Sequence, residues 1–196
     1  MAKGHKYKRN NRVKRTENNV ILIVCCGETE EKYFKAFNLD LGEVKVKAIT
    51  KPQSPTLMVK HAKKLSKEQN YIQVWCVFDK DEFTDFNDAI SKADNEGIKV
   101  AYSNQAFEYW FILHYENSKG YINRKDYSKI LEKHMKNPYH KAEDNIYEEL
   151  RDKIDFAAGN AKVIHQTFKK EGGQPSEWES CTTVYKLVKE LEKWRK

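Results

Sequence analysis

Two aspartates separated by one residue, Asp79 and Asp81, follow directly on the apolar run 74–78, V-W-C-V-F. Two like charges this close repel each other unless a cation or a proton lies between them. Mg²⁺ is commonly held by one or two such carboxylates together with substrate phosphates. The spacing therefore favours a divalent-cation site, and a solvated acidic turn is the alternative interpretation.

A second group of carboxylates follows an earlier apolar run. Residues 20–26, V-I-L-I-V-C-C, predict a buried strand, and Gly27 begins a turn that carries Glu28 and Glu30. Glu108 lies at the start of a later aromatic helix. Each of these residues has a structural alternative, because acidic side chains also suit the positive amino end of a helix or a salt bridge.

An alternation of strands and helices must position these residues. Strands are predicted at 20–26, 44–48, 74–78 and 98–102, and a helix follows each of them. Right-handed crossovers make such a chain a parallel sheet with helices on both faces, so the predicted fold class is α/β with about four mainly parallel strands. The carboxyl ends of these strands share one edge, where open α/β sheets place their ligands. Five carboxylates should meet at that edge: Glu28, Glu30, Asp79, Asp81 and Glu108.

Local signals support several of the predicted elements. Apolar residues alternate with lysines at 44–48, which is typical of a half-exposed strand near a sheet edge. Ser54 and Pro55 predict the start of a helix, and Gly97 predicts the end of another. Residues 20–116 should form the α/β domain, with 117–196 as a helical extension packed on it.

The net charge of +7 is concentrated at the amino terminus. Residues 1–19 carry one acidic side chain, Glu17, and seven basic ones: Lys3, Lys6, Lys8, Arg9, Arg12, Lys14 and Arg15. This basic and polar composition predicts a tail that is disordered when free and that contacts a nucleic-acid backbone. A solubilising arm is the alternative. Lys80, between the two aspartates, is a further candidate phosphate contact.

Composition also bounds the cellular setting. The chain has no apolar run long enough to span a membrane, and no apolar segment follows the basic amino terminus as it would in a secretory signal. The four cysteines show no C-x-x-C spacing and are expected to be reduced core residues. We therefore expect a cytoplasmic protein with no membrane partner, and its oligomeric state is not indicated.

Three motifs in order resemble the RloB family: G-E-T-E-E-K-Y-F at 27–34, V-F-D-K-D-E-F at 77–83 and S-N-Q-A-F-E-Y-W-F-I-L-H-Y at 103–115. Asn160-Ala161 and T-T-V-Y-K-L-V-K-E-L at 182–191 are similar to its carboxyl-terminal motifs. The resemblance implies a Rossmann-like, Toprim-type catalytic domain of the kind found at bacterial restriction and anti-phage loci.

The resemblance also implies an activity, namely metal-dependent cleavage of RNA, including tRNA, or of DNA. Mg²⁺ or Mn²⁺ would be held by Glu30, Asp79 and Asp81, with Glu28 and Glu108 as further catalytic candidates. Another protein of the same defence system is an expected partner, besides the nucleic acid.

One position departs from the family pattern. The pattern is similar to C-E-G-x-T-E, whereas this chain has Cys26 before Gly27 where the glutamate is expected. A neutral thiol is a poor ligand for the hard cation Mg²⁺. A nucleic-acid or nucleotide-binding protein that has lost turnover is therefore the main alternative. A receiver-like phosphoacceptor is a second one, although no adjacent acidic pair closes the first strand.

Overall fold

The computed structural model describes residues 19–117, 120–135, 139–141 and 145–196. Its strands are β1 (Asn19–Cys25), β2 (Val44–Thr50), β3 (Gln73–Asp79), β4 (Lys99–Asn104) and β5 (Cys181–Thr182). Within these ranges the strands form one five-stranded sheet in the order β2-β1-β3-β4-β5. Strands β1 to β4 are parallel, and β5 pairs antiparallel with β4.

The helices of the described ranges are α1 (Glu28–Ala36), α2 (Pro55–Glu68), α3 (Phe86–Glu96), α4 (Glu108–Ile112), α5 (Tyr127–His134), α6 (Ile146–Leu150), α7 (Ile154–Glu171) and α8 (Val184–Glu192). In the part of the chain that the structure describes, none of them combines the length and apolar character that crossing a bilayer requires.

The α/β class and the parallel pairing of the predicted strands are confirmed. The lysine-rich strand β2 lies at an edge of the sheet, as its alternating pattern predicts. Helix α2 begins at Pro55 after Ser54, and α3 ends at Gly97, which has the left-handed φ of 70°. The sequence did not predict β5, because two residues are too short to give a periodic signal. Of the basic tail predicted at 1–19, residues 1–18 lie outside the described ranges, and Asn19 begins β1.

Successive side chains of a buried strand point to opposite faces of the sheet, and both sets are apolar here. Helices therefore cover both faces of the sheet. Leu22 and Val24 of β1 pack in one core cluster with α2 and α3. Ile21 and Ile23 face the opposite cluster, which contains α1 and the helices from α4 onward. Residues beyond 116 therefore share a core with the strands, and β5 adds to the sheet itself. This close packing brings the carboxyl-terminal helices to the edge where the strands end.

Candidate active site

An open cleft of about 680 Å³ lies at the carboxyl edge of the parallel strands. The loop after β1, the end of β3 and the segment between β4 and α4 form one part of its lining. The start of α5 and Lys141 form another part. The lining includes all five carboxylates that strand order predicted to converge: Glu28, Glu30, Asp79, Asp81 and Glu108. Their chemical roles stay predictions.

Asp79, the last residue of β3, carries a carboxylate of which only one oxygen has a hydrogen-bond partner among the described residues. Its Oδ2 accepts the backbone N–H of Phe107 at 3.1 Å, but its buried Oδ1 has no hydrogen-bond partner among the described residues. Burial raises the pKa of Asp79 well above its ordinary value, and the charges of Glu30 and Glu108 raise it further. An unpaired oxygen in this position is expected to take up a proton or a cation.

Glu30 lies in the first turn of α1 and is 4% exposed. A Cβ at Gly27 would lie 2.8 Å from Glu30 Oε2, so a larger residue at position 27 would force this carboxylate to move. Burial raises the pKa of Glu30 to about 7. Its own backbone amide and Lys141 lower that pKa, whereas the charge of Glu108 raises it. Glu30 and Asp79 thus belong to one electrostatically coupled group.

Glu108 completes this group from α4 and is 6% exposed. Its Oε1 accepts a hydrogen bond from the Tyr139 hydroxyl at 3.3 Å and lies 3.4 Å from Lys141 Nζ. The side chain of Lys141 is largely exposed. Glu108 therefore has both the buried position of a site residue and the ion pair of a structural one.

Asp81 is placed differently from Asp79. Its carboxylate is partly exposed and pairs with the guanidinium of Arg124, which also lies 3.5 Å from Glu82. Its backbone has a positive φ of 37°, which aspartate tolerates better than most residues. Lys80 is not among the described residues that line the cleft, and its Nζ donates to the backbone carbonyl of Asp81 at 3.2 Å.

Cys26, the residue after β1, lines the same cleft and is half-buried. Burial raises the pKa of its thiol to about 12. The negative charges of Glu30, Asp79 and Asp81 add to that increase. The thiol is therefore neutral at physiological pH and adds no charge to the acidic group.

Sequence reasoning missed the basic side chains of the cleft, Arg124, Lys125 and Lys141. They come from the carboxyl-terminal extension, which had no motif that could have identified them. A hydrogen bond holds the backbone of the turn at Arg124 in place, since the backbone N–H of Arg124 donates to the side-chain oxygen Oε1 of Gln105 at 3.0 Å. The cleft thus combines an acidic group with cations that are far away in sequence.

The donor set suits a hard divalent cation, since Glu30, Asp79 and Glu108 offer carboxylate oxygens and Asp79 Oδ1 is unpartnered. Within the described ranges, no three His, Cys, Asp or Glu side chains are already arranged as a complete metal site. Mg²⁺ keeps several waters and often takes only one or two protein carboxylates, so the residues fit an ion that shares its ligands with a substrate.

Fold and cleft together define a class: an open α/β protein with buried, mutually repelling carboxylates at the carboxyl ends of its parallel strands. A family model described as RloB-like protein matches residues 21–191, most of the chain. The chain belongs to this RloB-like family, as its motifs predict. Comparison with curated proteins and with solved structures gave no match.

Proposed function

We propose that this protein is a divalent-metal-dependent nuclease that hydrolyses phosphodiester bonds of RNA, tRNA included, or of DNA. One observation carries the proposal: the charge of Glu108 raises the proton affinity of Glu30, both charges raise that of Asp79, and Asp79 Oδ1 has no partner among the described residues. Perturbed carboxylates in a cleft are candidates for function, because structure alone gains little from them.

Asp79 and Glu30 are the residues that would hold Mg²⁺ or Mn²⁺, with Asp81 as a third ligand once it leaves Arg124. The chemistry such an ion supplies when bound is stabilisation of charge on phosphate oxygens and activation of water. Glu28 is exposed at the cleft and is our candidate general base. Arg124, Lys125 and Lys141 would orient the phosphates of the substrate.

The basic tail and Lys80 would add contacts to the nucleic-acid backbone beyond the cleft. The four cysteines are free, which suits the reducing cytoplasm where we place the protein. Family membership supports a role in bacterial anti-phage defence, including abortive infection, with another protein of the same system as a partner.

A second candidate is a nucleic-acid or nucleotide-binding protein without turnover. The neutral, half-buried Cys26 favours it, because this position lacks the hard oxygen ligand that the family pattern has there. Such a protein would bind the same cation and the same phosphates but would release its ligand unchanged.

The test is a cleavage screen of tRNA, single-stranded RNA and DNA with Mg²⁺ and with Mn²⁺. Asp79→Asn should lower cleavage roughly a hundredfold or more, because it removes a charge that acts at the reacting phosphate. Asp85→Asn is the matched control, since Asp85 follows the same strand but accepts the backbone N–H of Thr56 at 3.0 Å.

Cleavage that depends on the added ion and on Asp79, but not on Asp85, would support the nuclease. Ion binding by the wild type with no cleavage of any of these substrates would support the binding protein. Cleavage that Asp79→Asn leaves intact would show that the reaction takes place elsewhere or comes from a contaminant.

A further inference from the structure

The ion pair between Arg124 and Asp81 joins a basic and an acidic residue of the same cleft. The two side chains are 39% and 45% exposed. Ion pairs with this much solvent around them contribute little net stability, because water and salt screen the attraction. An incoming anion of higher charge density can therefore displace Asp81 from Arg124 at small cost.

The position of Arg124 does not depend on this ion pair. Its backbone N–H is bound by Gln105 Oε1 at 3.0 Å, and the following amide of Lys125 is bound by Asn123 Oδ1 at 3.0 Å. Both bonds fix the backbone of the turn at the cleft. The guanidinium can thus leave Asp81 while the turn stays in place.

The pair also masks a charge of the acidic group. Asp81 follows Asp79 by two residues and lines the same cleft, so its carboxylate adds negative charge to the acidic group. While Arg124 neutralises Asp81, less negative charge is available to attract a cation. Removal of the guanidinium would return that charge to the group.

We propose that Arg124 is a phosphate-binding residue of this cleft, and that a substrate phosphate takes its guanidinium from Asp81 and so prepares the cleft for a divalent cation. A guanidinium binds phosphate through two parallel hydrogen bonds, which a lysine cannot reproduce. The inference rests on the proposed function only in naming a phosphodiester as the ligand. It requires phosphate and cation to favour each other's binding, and this coupling is reciprocal.

The experiment measures binding and uses no turnover. The full chain is titrated with Mn²⁺, followed by the electron paramagnetic resonance signal of the free ion, with and without a trinucleotide whose phosphorothioate linkages resist hydrolysis. In the wild type the trinucleotide should raise Mn²⁺ affinity roughly fivefold or more. The affinity for the trinucleotide alone is measured with chelator present.

Variants of the pair should move the two affinities in opposite directions. Arg124→Ala should bind Mn²⁺ more tightly and the trinucleotide more weakly, each measured alone. Asp81→Asn should bind the trinucleotide more tightly in chelator, because the guanidinium is already free. Arg124→Lys should recover part of the trinucleotide affinity that Arg124→Ala loses.

Arg151→Ala is the matched control. Arg151 is also paired with an aspartate, Asp40 at 3.3 Å, and its side chain is 41% exposed, but it does not line the described cleft. If Arg124→Ala and Arg151→Ala gave the same two affinities, net charge would explain the effect and the inference would be wrong. That result would not contradict the nuclease proposal. Conversely, a lack of cleavage by the wild type would not contradict these binding results.

Discussion

Two pairs of carboxylates lie near the carboxyl edge of the sheet: Glu31 with Glu30, and Asp85 with Asp79. The two members of each pair have different surroundings. Glu31 pairs with Lys35 and accepts the hydroxyl of Thr50. Burial works to raise its pKa, but these hydrogen bonds outweigh burial and lower it. Glu30, the next residue along α1, has raised proton affinity, and so has Asp79. Glu30 and Glu31, which are neighbours on one helix, thus have pKa shifts of opposite direction.

Asp85, which lies between β3 and α3, shows the same contrast with Asp79 at the end of β3. Burial works to raise the pKa of Asp85, but the backbone N–H of Thr56 and hydroxyl groups nearby together outweigh burial and bring the pKa below its ordinary value. Its charge is stabilised by partners that the fold supplies. Asp79 has one such partner, the backbone N–H of Phe107 at Oδ2, and its Oδ1 has none among the described residues, so a proton or a ligand is needed to compensate its charge.

The largest effect is expected from Cys26→Glu, which adds a carboxylate to the group that is already unsatisfied. Without divalent ions the variant should lose several kcal/mol of stability, because the new charge is desolvated beside like charges. Millimolar Mn²⁺ should restore much of that loss and raise any cleavage activity. Thermal unfolding with chelator and with Mn²⁺ measures both effects.

Cys26→Ser is the control for that change, since it alters the thiol without adding a charge. A Cys26→Glu variant as stable as Cys26→Ser in chelator would mean that the added carboxylate finds a partner or water. A stable variant with no gain in metal affinity or cleavage would mean that Glu28 or Glu30 already completes the site.

The raised pKa of Glu30 predicts a pH dependence of stability. The folded chain holds this proton up to a pKa of about 7, whereas the unfolded value is near 4.5. The stability that Glu30 contributes is therefore fully present below pH 4.5 and is lost as the pH rises to about 7. The loss is on the order of 3 kcal/mol.

Urea unfolding in chelator between these pH values measures the slope, and Glu30→Gln should flatten it. Glu31→Gln provides the comparison, because Glu31 has the opposite pKa shift and should leave the slope in this range unchanged. An equal slope in the wild type and in Glu30→Gln would place the titrating group elsewhere.

The smallest predicted effect is a difference in stability between substitutions of Asp85 and of Asp79. Asp85→Asn should lower stability by about 1 kcal/mol, because it weakens a hydrogen bond to a charged acceptor at the start of α2. Asp79→Asn should instead raise stability in chelator, since it removes a buried charge and keeps an acceptor for Phe107. Chemical unfolding at neutral pH compares them, and a change of the same sign in both variants would contradict the contrast.

Much of the fold could be predicted from local patterns. The apolar runs of β1 and β3, the alternation in β2 and the helix signals at Pro55 and Gly97 each follow from side-chain periodicity or backbone preference. β5 could not be predicted this way, because it exists only through its pairing with β4.

The acidic part of the cleft was predictable for a related reason. Parallel strands place their carboxyl ends at one edge whatever the distance between them in sequence, so residues after β1, β3 and β4 had to approach one another. Strand order predicted the neighbourhood but could not distinguish Asp79, whose Oδ1 is buried, from an exposed Asp81.

The sequence by itself determined which strands would be parallel and which carboxylates would follow them, since periodicity and chain order are local properties. Only the tertiary structure decided which of these charges are compensated. Arg124 reaches Asp81 across 43 positions of sequence, whereas Asp79 Oδ1 finds no partner among the described residues. Burial and ion pairing are set by packing between distant segments, and it is packing that separates the carboxylates held for structure from those available to a ligand.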